Sequence, residues 1–392
     1  MRSIDWGCST RMLFGKDAEK DVGERIKKYA RKALIVYGGG SIKKIGLYDS
    51  IVASLKKSGV DFMELSGVKA NPTLEKIYEG IRLCRENDIG FILAVGGGSP
   101  IDTAKAIALG VPYEGDVWDF FGKRVEGMVP EKALPLAAVL TIPGTGSECS
   151  PNAVVTNDTT KDKIGINSDL LRPVFSVMNP EWCTSIPKSQ VSNGVYDAMS
   201  HTMDRYFTNS LHTEVIDGIS ESIIRVLMKN GLLAYKDQSD IDAWAELLIA
   251  SDLAHCGVTG IGRERDWACH KIEEAVSGLY DIPHGAGLSI ITPAWMKYVY
   301  RKHIPMFVQF AVNVMGIKGS YREQERLALE GIEALEEFSK KMGLPTRFCE
   351  VGITDKDFVW MAKRCAELQG GRVGALEKLT WEDIVEIYKI AM

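Results

Sequence analysis

Short apolar runs alternate with helical periodicities through the first half of the chain. Ala33–Tyr37 is an unbroken β-type run closed by glycine, and Asp61–Leu65, Gly90–Val95, Leu134–Ile142 and Val174–Met178 repeat the form. Between them, Ser41–Ser58 sets Ile42, Ile45, Leu47, Ile51, Val52 and Leu55 close to helical spacing, and Thr73–Glu86 and Pro100–Ala108 read the same way. Such βαβ alternation predicts a mostly parallel sheet covered by helices. Beyond Pro187 the strands disappear. Val191–Phe207, Glu214–Tyr235, Ile241–His255, Asp266–Gly278, Arg322–Met342 and Trp381–Ala391 all read as helices. The pattern therefore predicts two domains: residues 1–187, a Rossmann-like α/β domain, and residues 188–392, an all-helical one. A chain of 392 residues suits that division at roughly 150 residues per domain. No low-complexity linker or solenoid-length repeat interrupts it.

Composition narrows the picture. Hydrophobic residues make up 45% and charged residues 25%, which is ordinary for a soluble globular chain. The net charge of -5 gives no global electrostatic reason to seek nucleic acid or an anionic membrane. The apolar runs fall short of the ~20 residues a membrane helix needs, and Met1–Thr10 lacks a signal-peptide core. A cytoplasmic protein is expected. Its eight cysteines contain no C-x-x-C pair, which argues against both a disulfide framework and a zinc ribbon.

Gly-Gly-Gly-Ser occurs twice, at Gly38–Ser41 and Gly96–Ser99, each time after an apolar strand and before a helix. The second copy continues through Pro100 and Asp102, which predicts a helix capped by Ser99 with Pro100 at its first position. Glycines there let a phosphate approach the backbone, and the helix N-terminus favours negative charge. Neither copy completes G-x-G-x-x-G. Two such loops and a third turn at Pro143–Glu148, which contains Thr145, nevertheless predict a long diphosphate-bearing ligand at the strand C-termini, and a dinucleotide has that span. The first loop, Gly38, Gly39, Gly40 and Ser41, carries no acid to meet a ribose 2′-hydroxyl or repel a 2′-phosphate. NADP(H) is expected in preference to NAD(H).

Histidine is scarce at six residues. Asp197 and His201 are four apart in a helical segment and share a face. His270 lies on a later helix, and His284 opens another. One carboxylate and three imidazoles can hold a divalent ion, Fe²⁺ or Zn²⁺, with positions left for substrate. Each group alone has a plainer reading, as a surface pair, a core histidine or a helix-start residue. His212, His255 and His303 are read as structural or surface residues.

With these residues in view, the chain resembles the iron-containing (group III) alcohol dehydrogenase family, most closely its butanol dehydrogenase-like branch. The resemblance rests on Gly96 to Lys105, Pro143 to Glu148, Asn193 to His201, His270, and Pro283-His284-Gly285. It implies that Asp197, His201, His270 and His284 are the metal ligands. It also implies that Gly97, Gly98 and Ser99 hold the pyrophosphate, that Thr141 and Lys163 contact the cofactor, and that the first loop is of the NADP(H) type. The implied architecture has the active site in an interdomain cleft, and relatives are often homodimers. Many relatives carry a further histidine where this chain has Glu274. That carboxylate is a candidate to relay a proton or orient water, or it pairs with Lys271 or solvent. The implied reaction interconverts primary alcohols and aldehydes by hydride transfer. Two other readings of the residues are a metal-assisted elimination of the dehydroquinate synthase type and a non-catalytic nucleotide or metal sensor.

Overall fold

The computed structural model describes residues 2–123, 128–319 and 323–392. It divides into two compact units: an α/β unit of Gly7–Ile186 with Gln238–Leu248, and a helical unit of Pro187–Asp237 and Ile249–Met392 with the chain start through Trp6.

The strands are β1 (Arg11–Phe14), β2 (Lys32–Tyr37), β3 (Asp61–Leu65), β4 (Phe91–Gly96), β5 (Leu136–Leu140), β6 (Asn152–Thr156), β7 (Lys163–Asn167) and β8 (Phe175–Met178). The helices among them are α1 (Val22–Ile26), α2 (Ser41–Lys44), α3 (Leu47–Ser58), α4 (Leu74–Glu86) and α5 (Gly98–Gly110). Six strands form one sheet in the order β1-β8-β5-β4-β2-β3, with every neighbouring pair parallel. The expected parallel sheet is therefore present. The short edge strand β1 and the antiparallel hairpin β6–β7 are additions that the apolar pattern did not announce. The helix expected over Ser41–Ser58 is two helices, because Gly46 adopts φ 82 and turns the chain between them.

One face of the sheet presents Ala33, Ile35, Tyr37, Phe91, Leu93, Val95, Ala137, Val139, Phe175 and Val177 to α1 and α3, whose Val22, Ile26, Leu47, Ile51 and Leu55 complete a buried core. The alternate residues Leu34, Val36, Ile92, Ala94, Ala138 and Leu140 are equally buried, so these strands are apolar on both faces, as parallel strands must be. Gly80 and Gly110 let α4 and α5 pack closely, since a β-carbon on either would strike Ile107 or Ile81.

The chain leaves β2 for β3 on one side, then returns to β4 on the other side of β2. The order therefore reverses between β2 and β4, and ligands bind at the carboxyl ends of strands beside such a reversal. Both Gly-Gly-Gly-Ser loops sit there.

The later helices are α6 (Lys188–Tyr206), α7 (Glu214–Lys236), α8 (Ile241–His255), α9 (Ala268–Tyr280), α10 (His284–Val299), α11 (Ile304–Asn313), α12 (Gln324–Lys341), α13 (Phe358–Leu368) and α14 (Trp381–Ile390). Arg322, at the start of one expected helix, lies outside the described residues. Among the described residues no strand follows β8, apart from an isolated bridge between Val373 and Leu379. No described helix is long and apolar enough to cross a membrane.

Candidate active site

The glycine loops come first because the strands fix them. At the end of β4, Gly96 takes φ 147, and the Thr141 amide donates to its carbonyl at 3.0 Å. The chain then enters α5 at Gly98, not at Pro100. Ser99 is not the cap, because its hydroxyl donates to the Ala70 carbonyl and the N-cap position is Gly97. Gly98 lies against Thr145, too close for a side chain, and Gly97 lies tightly against Ile142. The first amides of a helix have no intrahelical acceptor, so this end of α5 presents donors and positive potential to an anion. In the first loop, β-carbons on Gly39 and Gly40 would meet no protein atom. Packing therefore does not demand glycine at these two positions, and their backbone is open to close approach.

Behind the second loop a buried polar network ties three segments together. Asp102 accepts from Ser147 Oγ at 2.6 Å and from the Val154 amide at 3.1 Å. The fully buried Lys105 ammonium donates to Ser147 Oγ and to the carbonyls of Ser150 and Asn152 at 2.7–2.9 Å. Burial pushes the Lys105 ammonium down to about 8, with Asp102 opposing. This network sets the Thr145–Ser147 turn over α5 and anchors β6, and so carries Lys163 on the partner strand β7. Asp102 is thus a brace of the loop. Beside the first loop stands an acid that the loop sequence did not reveal. Glu64, near the end of β3, accepts from Tyr37 and Tyr48 hydroxyls and from Lys43 Nζ at 3.0 Å.

The metal candidates lie on three helices of the helical unit. Asp197 and His201 share one face of α6, His270 is in the first turn of α9, and His284 begins α10. Asp197 Oδ1 lies 3.8 Å from His201 Nε2, 3.8 Å from His270 Nε2 and 3.7 Å from His284 Nε2. These separations are too long for hydrogen bonds. They are near the spacing of about 3.5 Å expected for atoms sharing one ion at ~2.1 Å. Asp197, His201 and His270 are buried, and Asp197 Oδ1 and His270 Nε2 have no hydrogen-bond partner. A buried carboxylate oxygen left unpaired is costly. Asp197, His201 and His270 offer ligand atoms all within 4.8 Å of one another, and His284 Nε2 stands outside that trio, 3.7 Å from Asp197 Oδ1; a divalent ion among them removes that cost, so the donor set fits the metal.

Two glycines bring the helices this close. A β-carbon on Gly285 would stand 2.2 Å from the Asn193 carbonyl oxygen of α6, and one on Gly287 would stand 2.3 Å from Glu273 Oε1 of α9. Trp267 caps α9 in the left-handed region at φ 61, which is strained for a bulky residue. Its indole meets the His270 ring edge-on at 5.1 Å and lies under the Arg205 guanidinium at 4.6 Å.

Two residues absent from the sequence reading complete the centre. Asp204 Oδ2 is 2.5 Å from His270 Nδ1, and Glu273 Oε2 bonds His284 Nδ1. Asp204 falls seven residues after Asp197, on the same helical stripe, and that spacing was the available signal. Burial opposes charge on His270, but Asp204 and Asp197 outweigh it and push the group up to about 9. Burial likewise works against Asp197, but the three histidines hold it well below the usual carboxylate range. His201 is lowered by burial, with Asp197 opposing. Glu274, by contrast, forms a two-pronged ion pair with Lys271 at 2.8 and 2.9 Å. His255 is structural, packed 4.0 Å from the His201 ring, and His303 pairs with Glu377.

A parallel sheet with glycine loops at its reversal and a buried carboxylate–trihistidine cluster on helices define a metal-dependent nicotinamide enzyme scaffold. Residues 9–180 match the model of the family described as iron-containing alcohol dehydrogenase, and residues 191–392 match that family's C-terminal model. The chain belongs to the iron-containing alcohol dehydrogenase family and is an oxidoreductase acting on alcohols. It is 42% identical over 390 residues to NADH-dependent butanol dehydrogenase A of Clostridium acetobutylicum, covering 99% of each chain. It is 33% identical over 393 residues to the NADPH-dependent aldehyde reductase YqhD of Escherichia coli, covering both fully. The crystal structure of NADH-dependent butanol dehydrogenase A from Thermotoga maritima superposes with a TM-score of 0.95 at 41% identity, covering 100% of this chain and 99% of that one.

Proposed function

We propose that this chain reduces short- and medium-chain aldehydes to primary alcohols and catalyses the reverse oxidation, with NADP(H) preferred over NAD(H) and Fe²⁺ or Zn²⁺ as the metal. The convergence of Asp197 Oδ1 with three imidazole Nε2 atoms carries the reading. When bound, the divalent ion polarises the substrate oxygen and the nicotinamide gives or takes the hydride. Asp197, His201, His270 and His284 would hold that ion, and nitrogen and oxygen donors suit either metal. His284, with its side chain 26% exposed against 6–8% for the other three, marks the open side of the centre.

Gly97, Gly98 and Ser99 would bind the pyrophosphate at the start of α5, braced by Thr145, Asp102 and Lys105. Thr141 and Lys163 are the remaining proposed cofactor contacts. Gly38 to Ser41 would receive the adenosine ribose. The preference for NADP(H) is supported by the acid-free loop, the Glu64 charge beside it being already matched by Lys43 and two tyrosine hydroxyls. Relatives named for either nucleotide match the chain. We further propose a cytoplasmic homodimer, supported by the exposed edge strand β1 with Met12 and Phe14 on its surface.

The deciding experiment follows NADPH and NADH oxidation with C2 to C8 aldehydes in the presence of Fe²⁺ or Zn²⁺. Net consumption of NADPH at a higher kcat/KM than NADH supports the proposal. Higher kcat/KM with NADH rejects the cofactor preference, and absence of any net consumption rejects the reaction in favour of internally recycled nicotinamide or a sensor.

A further inference from the structure

We infer that Asp204 and Glu273 are positioning residues that aim the His270 and His284 rings and thereby set how tightly the helical unit holds its metal. The inference rests on the metal reading above and adds to it two residues that bind no ion themselves.

Both carboxylates are deeply buried, Asp204 at 2% and Glu273 at 0% exposure, where an ionised acid is retained only with a strong partner. For each, the structure provides an imidazole Nδ1: His270 for Asp204 and His284 for Glu273. In each ring the opposite nitrogen, Nε2, faces Asp197 Oδ1, at 3.8 and 3.7 Å respectively. A carboxylate accepting at Nδ1 requires the proton to be there. The Nε2 lone pair is then left for the ion, and the ring can no longer rotate freely about its long bond. The surroundings preserve this arrangement. Ser277 Oγ donates to Glu273 Oε2 at 3.3 Å, and Gly287 leaves the room that the Glu273 carboxylate occupies. The Asp266 amide donates to the Asp204 carbonyl, holding the start of α9 against α6.

His201 is built differently. Its Nδ1 has no hydrogen-bond partner. The ring is held by packing between His255 and His270, with centroids at 4.0 and 4.6 Å. Two histidines are therefore oriented by charge and the third by contact alone. Loss of either carboxylate should lower metal affinity without dismantling the unit.

The test is Co²⁺ binding to the metal-free full chain, its affinity measured by chelator competition and its coordination by visible absorption. It uses wild type, Asp197→Ala, Asp204→Asn and Glu273→Gln, with the melting temperature of each metal-free protein recorded. Expected is a 10- to 100-fold rise in the Co²⁺ dissociation constant for Asp204→Asn and Glu273→Gln, with an altered visible spectrum and a metal-free melting temperature close to wild type. Wild-type affinity and spectrum in both variants overturn the inference, as does weakened binding matched by an equal loss of metal-free stability. Should Asp204→Asn fail to fold, Glu273→Gln decides alone. Failure of the metal reading itself looks different: wild type and Asp197→Ala would then be alike in taking up no Co²⁺.

Discussion

Gly98 and Thr145 touch: a β-carbon on Gly98 would stand 2.5 Å from Thr145 Cγ2 and 2.8 Å from its hydroxyl. The second glycine loop and the third turn are therefore one surface, and Gly98→Ala must push them apart. The expected result is about a tenfold rise in KM for NADPH, equivalent to ~1.4 kcal/mol, with metal content unchanged. Steady-state kinetics beside elemental analysis checks it, and an unaltered KM would show that this surface does not receive the nucleotide.

Asp197 is the one acidic member of the four converging donors, and its Oδ1 lies within 3.8 Å of all three imidazoles. Asp197→Ala should purify with little or no metal and lose at least about 10³-fold in turnover, the scale on which a strong electrostatic contribution to catalysis is lost. His284→Ala should also lose metal, and less completely, because its side chain is partly exposed and the remaining three donors are buried. Metal-to-protein ratios after purification in Fe²⁺ or Zn²⁺ measure both.

Glu274 holds Lys271 and none of the four donors. Such partly exposed ion pairs contribute roughly 0–1 kcal/mol. Glu274→Ala is expected to keep wild-type metal content and turnover within about twofold, since about 0.4 kcal/mol corresponds to that factor. A large fall in kcat at full metal occupancy would reinstate this residue as a proton relay.

Gly285 faces the backbone of α6, and backbone cannot swing aside as a side chain can. Gly285→Ala should cost about 1–3 kcal/mol by overpacking, read as a lower midpoint in urea, with a parallel loss of metal affinity because α6 carries Asp197. A variant of full stability would mean that α6 and α10 are spaced by other contacts.

Cys8 is an exposed thiol lowered to about 6, chiefly by a hydrogen bond with Cys149, against burial, and further by the Thr10 amide and Arg172. The thiolate is the nucleophile, so iodoacetamide should modify Cys8 at pH 7 at close to its limiting rate. Its alkylation rate should fall to half near pH 6 and keep falling below that. Peptide mass spectrometry across pH 5–9 reads the profile, and a midpoint near the ordinary thiol value of ~8.5 would remove the assigned influence of Cys149 and Arg172.

The parts of this molecule that were legible in its sequence are those written in local pattern. β2, β4 and β5 appear as apolar runs because both of their faces are covered, and Asp197 and His201 announce themselves by helical spacing. β1 was not legible, since most of it lies exposed at an edge and carries no alternation. α11 was missed because Ile304, Met306, Phe307, Val308, Phe310 and Ala311 leave little polar stripe to mark its period. Glu273 was hidden for another reason, for its role depends on His284 from a different helix, and no local spacing records such a meeting. Glu64 was overlooked likewise: it meets Tyr37 and Lys43, on either side of the first glycine loop, through the pairing of β3 with β2. The start of α5 was misplaced because Ser99 and Pro100 look like a helix entrance, while the Ser99 hydroxyl is spent on the Ala70 carbonyl and the helix opens at Gly98.

The four donors come from three helices and meet in front of Asp197 Oδ1. An ion seated there is a staple across α6, α9 and α10, and its binding energy becomes folding energy through RT ln(1 + [metal]/Kd). The protein's resistance to heat and to proteases should then track the free metal concentration around it.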